Sequence, residues 1–142
     1  MTNELAHFVS TATRLCGASI AWGGGGMPLR VAYCLSDRQP PQQYVSSVRA
    51  IVFWDQSALV VTDKRGQMYI LPGGRVEGGE LPIETLRREV LEETGWGLDH
   101  PEPLGFVHFR HLGPRPDDYA YPYPDFIWPV FLAEAARFER RR

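Results

Sequence analysis

The sequence has few cysteines, no long apolar segment and no large excess of either charge. It has two cysteines in 142 residues, Cys16 and Cys34. They lie outside any Cys-x-x-Cys pair and could pair with each other, but two reduced thiols are favoured. No apolar run approaches the roughly 18 residues of a membrane-spanning helix, and no signal peptide is visible. We therefore expect a cytoplasmic chain that does not enter a membrane.

The net charge and the length of the chain exclude further kinds of protein. The formal net charge of −2 argues against a protein that binds nucleic acid or membrane surfaces through its overall charge, so we expect no specific nucleic-acid binding. A chain of 142 residues is long enough for one domain with a hydrophobic core and too short for two ordinary ones. The acidic residues are unevenly distributed, because six of the 17 fall within residues 77 to 93.

Hydrophobic spacing and breaker residues divide the chain. We predict a short helix over residues 4–16 and a second helix that begins at Pro82 and ends before Gly95. The four glycines at 23–26 lack Walker-A spacing and predict a flexible turn. Strands are predicted at 31–35, 45–54, 58–64, 68–71, 104–111 and 126–134. Residues 1–43 would be an N-terminal extension that packs on the core, and residues 44–142 the main domain.

The second helix crowds three carboxylates together. Glu89, Glu92 and Glu93 stand at i, i+3 and i+4 and so share one helix face. Like charges at these spacings destabilise an isolated helix by a few tenths of a kcal/mol per pair. A bound divalent cation would reverse that effect, and Mg²⁺ or Mn²⁺ prefers hard carboxylate oxygens. The alternative interpretation is a solvated acidic helix face, because glutamate-rich helices are common.

The residues around this helix complete a longer motif. Five residues separate Gly74 from Glu80, seven more separate Glu80 from Arg88, and Arg88 opens the run REVLEETGW. The pattern is GX5EX7REUXEEXGU, where U is a bulky apolar residue, and seven fixed identities match by chance in about 10⁻⁹ of starting positions. The sequence therefore resembles the Nudix hydrolase family, most strongly over residues 68–96 and loosely over 45–134.

The resemblance implies a role for each matching position. Glu89, Glu92 and Glu93 would bind Mg²⁺ or Mn²⁺, with the Gly73 carbonyl as a further ligand. Arg88 would orient these carboxylates by an ion pair rather than touch substrate, and Gly74, Glu80 and Gly95 would support the site. The implied reaction is attack of water on a nucleoside diphosphate linked to another group, such as a nucleoside triphosphate, a nucleotide sugar or ADP-ribose.

The resemblance leaves alternatives for the general base and for the substrate contacts. The base would be Glu89 or Glu93, or else an acid of the later loop, for which the candidates are Asp117, Asp118 and Asp125. Substrate contacts are predicted for Arg65, Asp118, Tyr119 and Tyr121, since arginines can bind phosphates and loop tyrosines can stack on a base.

The resemblance also implies a fold, and the chain departs from it at one end. The implied fold is an α/β/α sandwich on a mixed β-sheet, whereas the strand and helix pattern alone supports only a mixed α+β domain. Only 46 residues follow the motif, so the domain looks short at its C-terminus. We expect the N-terminal segment, or a partner in a possible homodimer, to cover the sheet face. Two other functions stay open: a nucleotide-binding module of this fold without turnover, and a carboxylate-faced scaffold.

Overall fold

The computed structural model describes residues 1–69 and 71–139. The predicted strand 68–71 therefore lies partly outside the described residues, as do the last three residues of the predicted domain 44–142. None of the helices in the described part is long and apolar enough to cross a membrane. The elements follow one another as α1 (Asn3–Ser10), β1 (Thr13–Trp22), β2 (Met27–Leu35), β3 (Ser47–Trp54), β4 (Ser57–Ala58), β5 (Val61–Thr62), β6 (Met68–Tyr69), β7 (Gly73–Arg75), α2 (Pro82–Thr94), β8 (Trp96–His111) and β9 (Asp125–Phe138).

The chain divides into two compact units, and β8 and β9 contribute residues to both. The first, called the hairpin unit, comprises residues 1–46 and 104–129, and the second, called the helix unit, comprises residues 47–103 and 130–142. In the hairpin unit β1 and β2 form an antiparallel hairpin closed by the glycine run 23–26. Strand β2 then pairs antiparallel with β8 over 29–35 and 105–111.

Helix α1 is shorter than predicted. It begins after the N-cap Thr2, whose hydroxyl accepts the Leu5 N–H, and it ends at Ser10. The predicted helix 4–16 is therefore wrong beyond Ser10, because residues from Thr13 onward pair with β2 as a strand. Apolar spacing at the end of this segment fitted a helix, but pairing with a strand that follows in sequence outweighs local spacing. Leu5 and Phe8 of α1 are buried and pack with Phe106 and Ile127. The N-terminal segment thus has a core of its own with residues of β8 and β9.

The helix unit is organised around β3. This strand pairs in parallel with β9 over 49–53 and 130–134, and antiparallel with β7 at its start and β4 at its end. Helix α2 packs on this sheet through Leu86 and Val90, both fully buried. Burial of each such side chain stabilises the fold by about 1.5–3 kcal/mol. The core that results contains Val48, Ala50, Val52, Leu86, Val90, Leu98, Phe131 and Ala133.

Pairing that is both parallel and antiparallel, together with two α-helices, confirms the predicted mixed α+β fold. The predicted strand 58–64 is instead two short strands, β4 and β5, and the second ends where Asp63 turns the chain. Its Oδ1 accepts the N–H groups of Arg65 and Gln67 at 2.8 and 2.9 Å. The division of the chain after residue 43 stays a prediction, although the N-terminal segment contains one strand, β1, more than expected.

Candidate active site

Helix α2 is delimited by its sequence as predicted. Pro82 occupies the first turn, where its missing N–H is no loss, and the Glu84 carboxylate accepts the Leu81 N–H at 3.4 Å. At the other end Gly95 adopts a left-handed conformation (φ 79°) and donates its N–H to the Leu91 carbonyl at 2.8 Å. The three predicted metal ligands therefore lie in the last two turns of a well-defined helix.

Two glycines place the start of the motif against β3. Gly73 pairs with Arg49 and Gly74 with Val48 across the β3–β7 ladder. A Cβ at Gly73 would lie 1.9 Å from the Val48 carbonyl oxygen, and a Cβ at Gly74 would lie 2.2 Å from Glu89 Cδ. Gly73 is thus required by close packing against backbone, and the absence of a side chain at Gly74 leaves room for the Glu89 carboxylate.

Arg88 ties the loop and the helix together. Its Nε and Nη2 donate to the two oxygens of Glu80 at 2.9 Å each. Its Nη1 lies 3.0 Å from a Glu89 oxygen and 3.4 Å from a Glu92 oxygen, and Nη2 also donates to the Arg75 carbonyl. A guanidinium suits this arrangement because its fixed fork serves several acceptors at once. Arg88 thus lies beside two of the predicted metal ligands, and its role in orienting them stays a prediction.

Glu80 is held ionised by the same arginine. The hydrogen bonds from Arg88, followed by the Glu77 N–H, lower the pKa of Glu80 from its ordinary value to about 2. Glu80 Oε1 also accepts the hydroxyl of the buried Thr85 at 3.2 Å. In return these hydrogen bonds raise the pKa of Arg88. These contacts of Glu80 are with the loop and the helix, and its supporting role stays a prediction.

Glu93 and Arg49 form the inner part of the site. Burial and the nearby Glu89 raise the pKa of Glu93, whereas Arg49 and the Gly73 N–H favour its ionised form. Burial lowers the pKa of Arg49, and Glu93 and Glu89 oppose that shift. Arg49 Nη1 donates to Ser47 Oγ at 3.2 Å and to the Val48 carbonyl at 3.0 Å. Sequence reasoning missed Arg49, and the only signal was a single charge in the otherwise apolar run VRAIVF.

The carboxylates suit a hard divalent cation in chemistry, although they do not form a closed cage. Among the described residues, no three carboxylate, imidazole or thiol groups converge on one point. Two of the three glutamates are instead within reach of the Arg88 guanidinium. Mg²⁺ is normally bound through one or two carboxylates and several waters, so a closed cage is not needed. Gly73 contributes its N–H to Glu93, and a role for its carbonyl stays a prediction.

A cavity of about 470 Å³ opens beside Glu93 within the helix unit. Its lining includes two cationic side chains, two acidic ones and three apolar ones: Arg49, Lys64, Asp63, Glu93, Val61, Leu71 and Pro72. Its volume falls within the range of small-molecule sites. Arg65, a predicted substrate contact, is exposed in the turn next to Lys64.

The other predicted substrate contacts belong to the hairpin unit. Asp118 is exposed with φ 54°, and Tyr121 is half-buried with its ring against that of Tyr119. The Tyr119 hydroxyl lies 2.9 Å from His111 Nε2, and burial raises the pKa of Tyr119. Substrate binding by these residues stays a prediction.

Asp125, a candidate general base, is engaged in a buried network of the hairpin unit. Its side chain is 3% exposed. Oδ1 lies 2.8 Å from His108 Nε2, and Oδ2 accepts a hydrogen bond from Arg110 Nη1, also at 2.8 Å. Both carboxylate oxygens thus have a partner, and the arrangement is that of a satisfied buried ion network. Asp117 and Asp118 are exposed loop residues.

Comparison with known proteins finds a family match over most of the chain. The model of the NUDIX domain family matches residues 43–139. A Bacillus subtilis (strain 168) protein named "Putative ADP-ribose pyrophosphatase YjhB" is 32% identical over 88 residues, which cover 62% of this chain and 39% of that protein. Another from the same organism, "Putative 8-oxo-dGTP diphosphatase", is 42% identical over 50 residues, which cover 35% of this chain and 34% of that protein. The matches thus span well under half the length of either relative.

Among solved structures, a mutant of the Bacillus subtilis pyrophosphohydrolase BsRppH is similar with a TM-score of 0.60. The match covers 87% of this chain and 69% of that chain at 20% identity. At this level of identity the similarity concerns the fold.

Proposed function

The chain belongs to the NUDIX domain family, and from this premise we propose that it is a divalent-metal-dependent hydrolase of nucleoside diphosphate derivatives. Water would attack phosphorus and cleave the pyrophosphate linkage. The names of the two curated relatives, an ADP-ribose pyrophosphatase and an 8-oxo-dGTP diphosphatase, agree on this substrate class and differ in the group attached. We therefore propose the class and keep both substrates as candidates.

The single observation that carries the proposal is the completeness of the Arg88 network. Arg88 contacts Glu80, Glu89 and Glu92, and Gly74 leaves the space that Glu89 fills. A module that only binds nucleotide has no need to preserve this carboxylate arrangement in full. Glu89, Glu92 and Glu93 would hold the cation, which when bound would polarise phosphoryl oxygens and favour ionisation of the attacking water.

The chain's own residues divide the remaining work. Glu89 and Glu93 are the proposed candidates for accepting the water proton, because both oxygens of Asp125 already have partners. Glu89 also pairs with Arg88, whereas Glu93 faces the cavity. Arg49 and Lys64 would bind phosphate oxygens in that cavity, where apolar walls exclude part of the water and strengthen the ion pairs.

The activity is tested by release of phosphate or pyrophosphate in Mg²⁺ or Mn²⁺. The panel is ADP-ribose, 8-oxo-dGTP, ordinary nucleoside triphosphates, nucleotide sugars and dinucleoside polyphosphates. We expect turnover of at least one member, abolished by chelation, and a fall of about 10²–10⁴-fold in kcat for Glu93→Gln. Glu102→Gln, at an exposed strand position, is the matched control and should act as the wild type. No turnover of any member, with Glu93→Gln still binding nucleotide like the wild type, would favour the binding module instead.

Phosphate binding in the cavity has a separate test. Lys64 is the only lysine of the chain, so an amine-reactive reagent labels one side chain besides the N-terminus. Mass spectrometry should find that Lys64 is protected from labelling by a nucleotide that the protein hydrolyses and by pyrophosphate, but not by the nucleoside alone. Labelling that is unchanged at saturating nucleotide would contradict the proposed position of the phosphates, whatever the outcome for activity.

A further inference from the structure

Strand β1 forms an exposed edge of the hairpin unit. It pairs with β2 on one side, and no other strand within residues 1–69 and 71–139 pairs with it. Residues 13–19 of this strand are all exposed. Half of the backbone N–H and C=O groups of a paired edge strand point outward, so β1 presents a row of hydrogen-bonding groups to solvent. An edge of this kind is a template for pairing with another strand.

The usual protection of such an edge is weak in β1. The segment TRLCGASIAW contains no proline or lysine, and its one charged residue is Arg14. The Arg14 guanidinium lies back over its own strand, since a Cβ at Gly17 would be 2.1 Å from Arg14 Nη2. A bulge between Arg14 and Cys16 disturbs one end only, and the register with β2 is unbroken from Cys16 to Trp22. Seven residues of regular, uncharged edge are therefore open.

We propose that β1 pairs antiparallel with β1 of a second copy of this chain, about a two-fold axis at Ser19. A two-fold interface needs a single self-complementary surface, and this segment provides one. No like charges would face each other, and four of the five residues around the axis, Gly17, Ala18, Ser19 and Ala21, are small enough to allow close approach of the two backbones. The cross-strand pairs would be Cys16 with Trp22, Gly17 with Ala21, Ala18 with Ile20, and Ser19 with Ser19.

The neighbouring strand adds apolar surface to this edge. Tyr33 is 44% exposed and is the cross-strand partner of Cys16, so it lies on the same face of the sheet. Leu35 is 39% exposed at the end of β2, and Leu15 is 59% exposed in the bulge. Backbone pairing would thus be accompanied by burial of apolar side chains that are accessible in the isolated chain. This pairing would be independent of the proposed hydrolase activity, which involves residues of the helix unit.

A charge introduced at the two-fold axis should destabilise the dimer without destabilising the monomer. Ser19 is exposed and faces Arg30 across the hairpin. In Ser19→Glu the new carboxylate has a favourable partner in its own chain, but two glutamates stand directly opposite in the dimer. Sedimentation equilibrium should find the wild type dimeric at tens of micromolar, with the dissociation constant raised about tenfold or more in Ser19→Glu. Ser57→Glu, on the exposed two-residue edge strand β4, is the matched control and should dimerise like the wild type.

Mixing two variants of opposite charge should restore dimer formation. Ser19→Glu and Ser19→Lys should each dimerise poorly and together form a heterodimer, because opposite charges then meet at the axis. Circular dichroism and the melting temperature of each variant establish that it is folded. A wild type that stays monomeric at 200 μM overturns the proposal. So does a dimer that Ser19→Glu leaves intact, or one that Ser57→Glu weakens equally.

Discussion

Substitution of Gly74 by alanine should impair catalysis with little effect on folding. The added Cβ would lie 2.2 Å from Glu89 Cδ, whereas carbon atoms in contact are about 3.5 Å apart. The Glu89 carboxylate must therefore retreat by about 1.3 Å. It can do so because the clash is with the end of a side chain and not with backbone. A displacement of about 1 Å in a catalytic group costs on the order of 100-fold in rate, so we expect kcat/KM to fall about 100-fold.

The assay compares Gly74→Ala with Gly79→Ala, a substitution in the loop that joins β7 to α2. Gly79 has φ 78°, and a Cβ there meets nothing within 4 Å. Gly79→Ala should therefore lose about 1 kcal/mol of the free energy of unfolding through its left-handed backbone, with kcat/KM unchanged. In Gly74→Ala kcat/KM should fall while the free energy of unfolding changes little. Electron paramagnetic resonance should also find weaker Mn²⁺ binding in this variant. Equal activity of the two variants, or loss of activity in Gly74→Ala only as it unfolds, would refute the reasoning.

Three further predictions concern stability and acid response. Gly95→Ala should lower the free energy of unfolding by about 1–2 kcal/mol in urea denaturation, because φ is 79° and the Cβ would be 2.8 Å from an aromatic ring of β9. Asp125→Asn should cost about 3 kcal/mol by the same method, since His108 and Arg110 lose a buried carboxylate; kcat per folded molecule should not change, and a large fall would revive Asp125 as the base. Glu80 has a pKa lowered to about 2, so its stabilising contribution is complete above the unfolded value of 4.5 and is lost as pH falls toward 2; unfolding measured at stepped pH should lack this part of the acid transition in Glu80→Gln.

The sequence was sufficient for the parts of the fold where local signals agree. Pro82 and Gly95 set the ends of α2, and the motif spacing identified the glutamates that share its face. The end of α1 was missed because apolar residues up to Leu15 fit a helical period, and the partner that makes residues 13–22 a strand follows the glycine turn. Pairing between segments is a non-local effect that periodicity within one segment does not contain.

Arg49 illustrates the same limit at the site. In the sequence it is one charge in a β-prone run, 40 residues before Glu89. Pairing of β3 with β7 sets it beside Gly73, and the packing of α2 brings it into the field of Glu89 and Glu93. No short motif encodes that encounter. The loop tyrosines, by contrast, are predicted substrate contacts because they are aromatic. In the structure Tyr119 contacts His111 and Tyr121.

Two arginines offset part of the electrostatic repulsion among the three glutamates, and this changes the expected effect of substitutions on metal affinity. Arg88 offsets Glu89 and Glu92, and Arg49 offsets Glu93, so part of the repulsion is already relieved without a cation. Arg49→Met should therefore tighten Mg²⁺ binding, by about three- to tenfold for the loss of one nearby positive charge. The same variant should raise the KM for nucleotide, because a phosphate-binding group is lost. Thermal shift titrated with Mg²⁺ measures the first effect and initial rates the second. If Arg49 served only to hold the fold, both affinities would fall together, and the opposite signs would not appear.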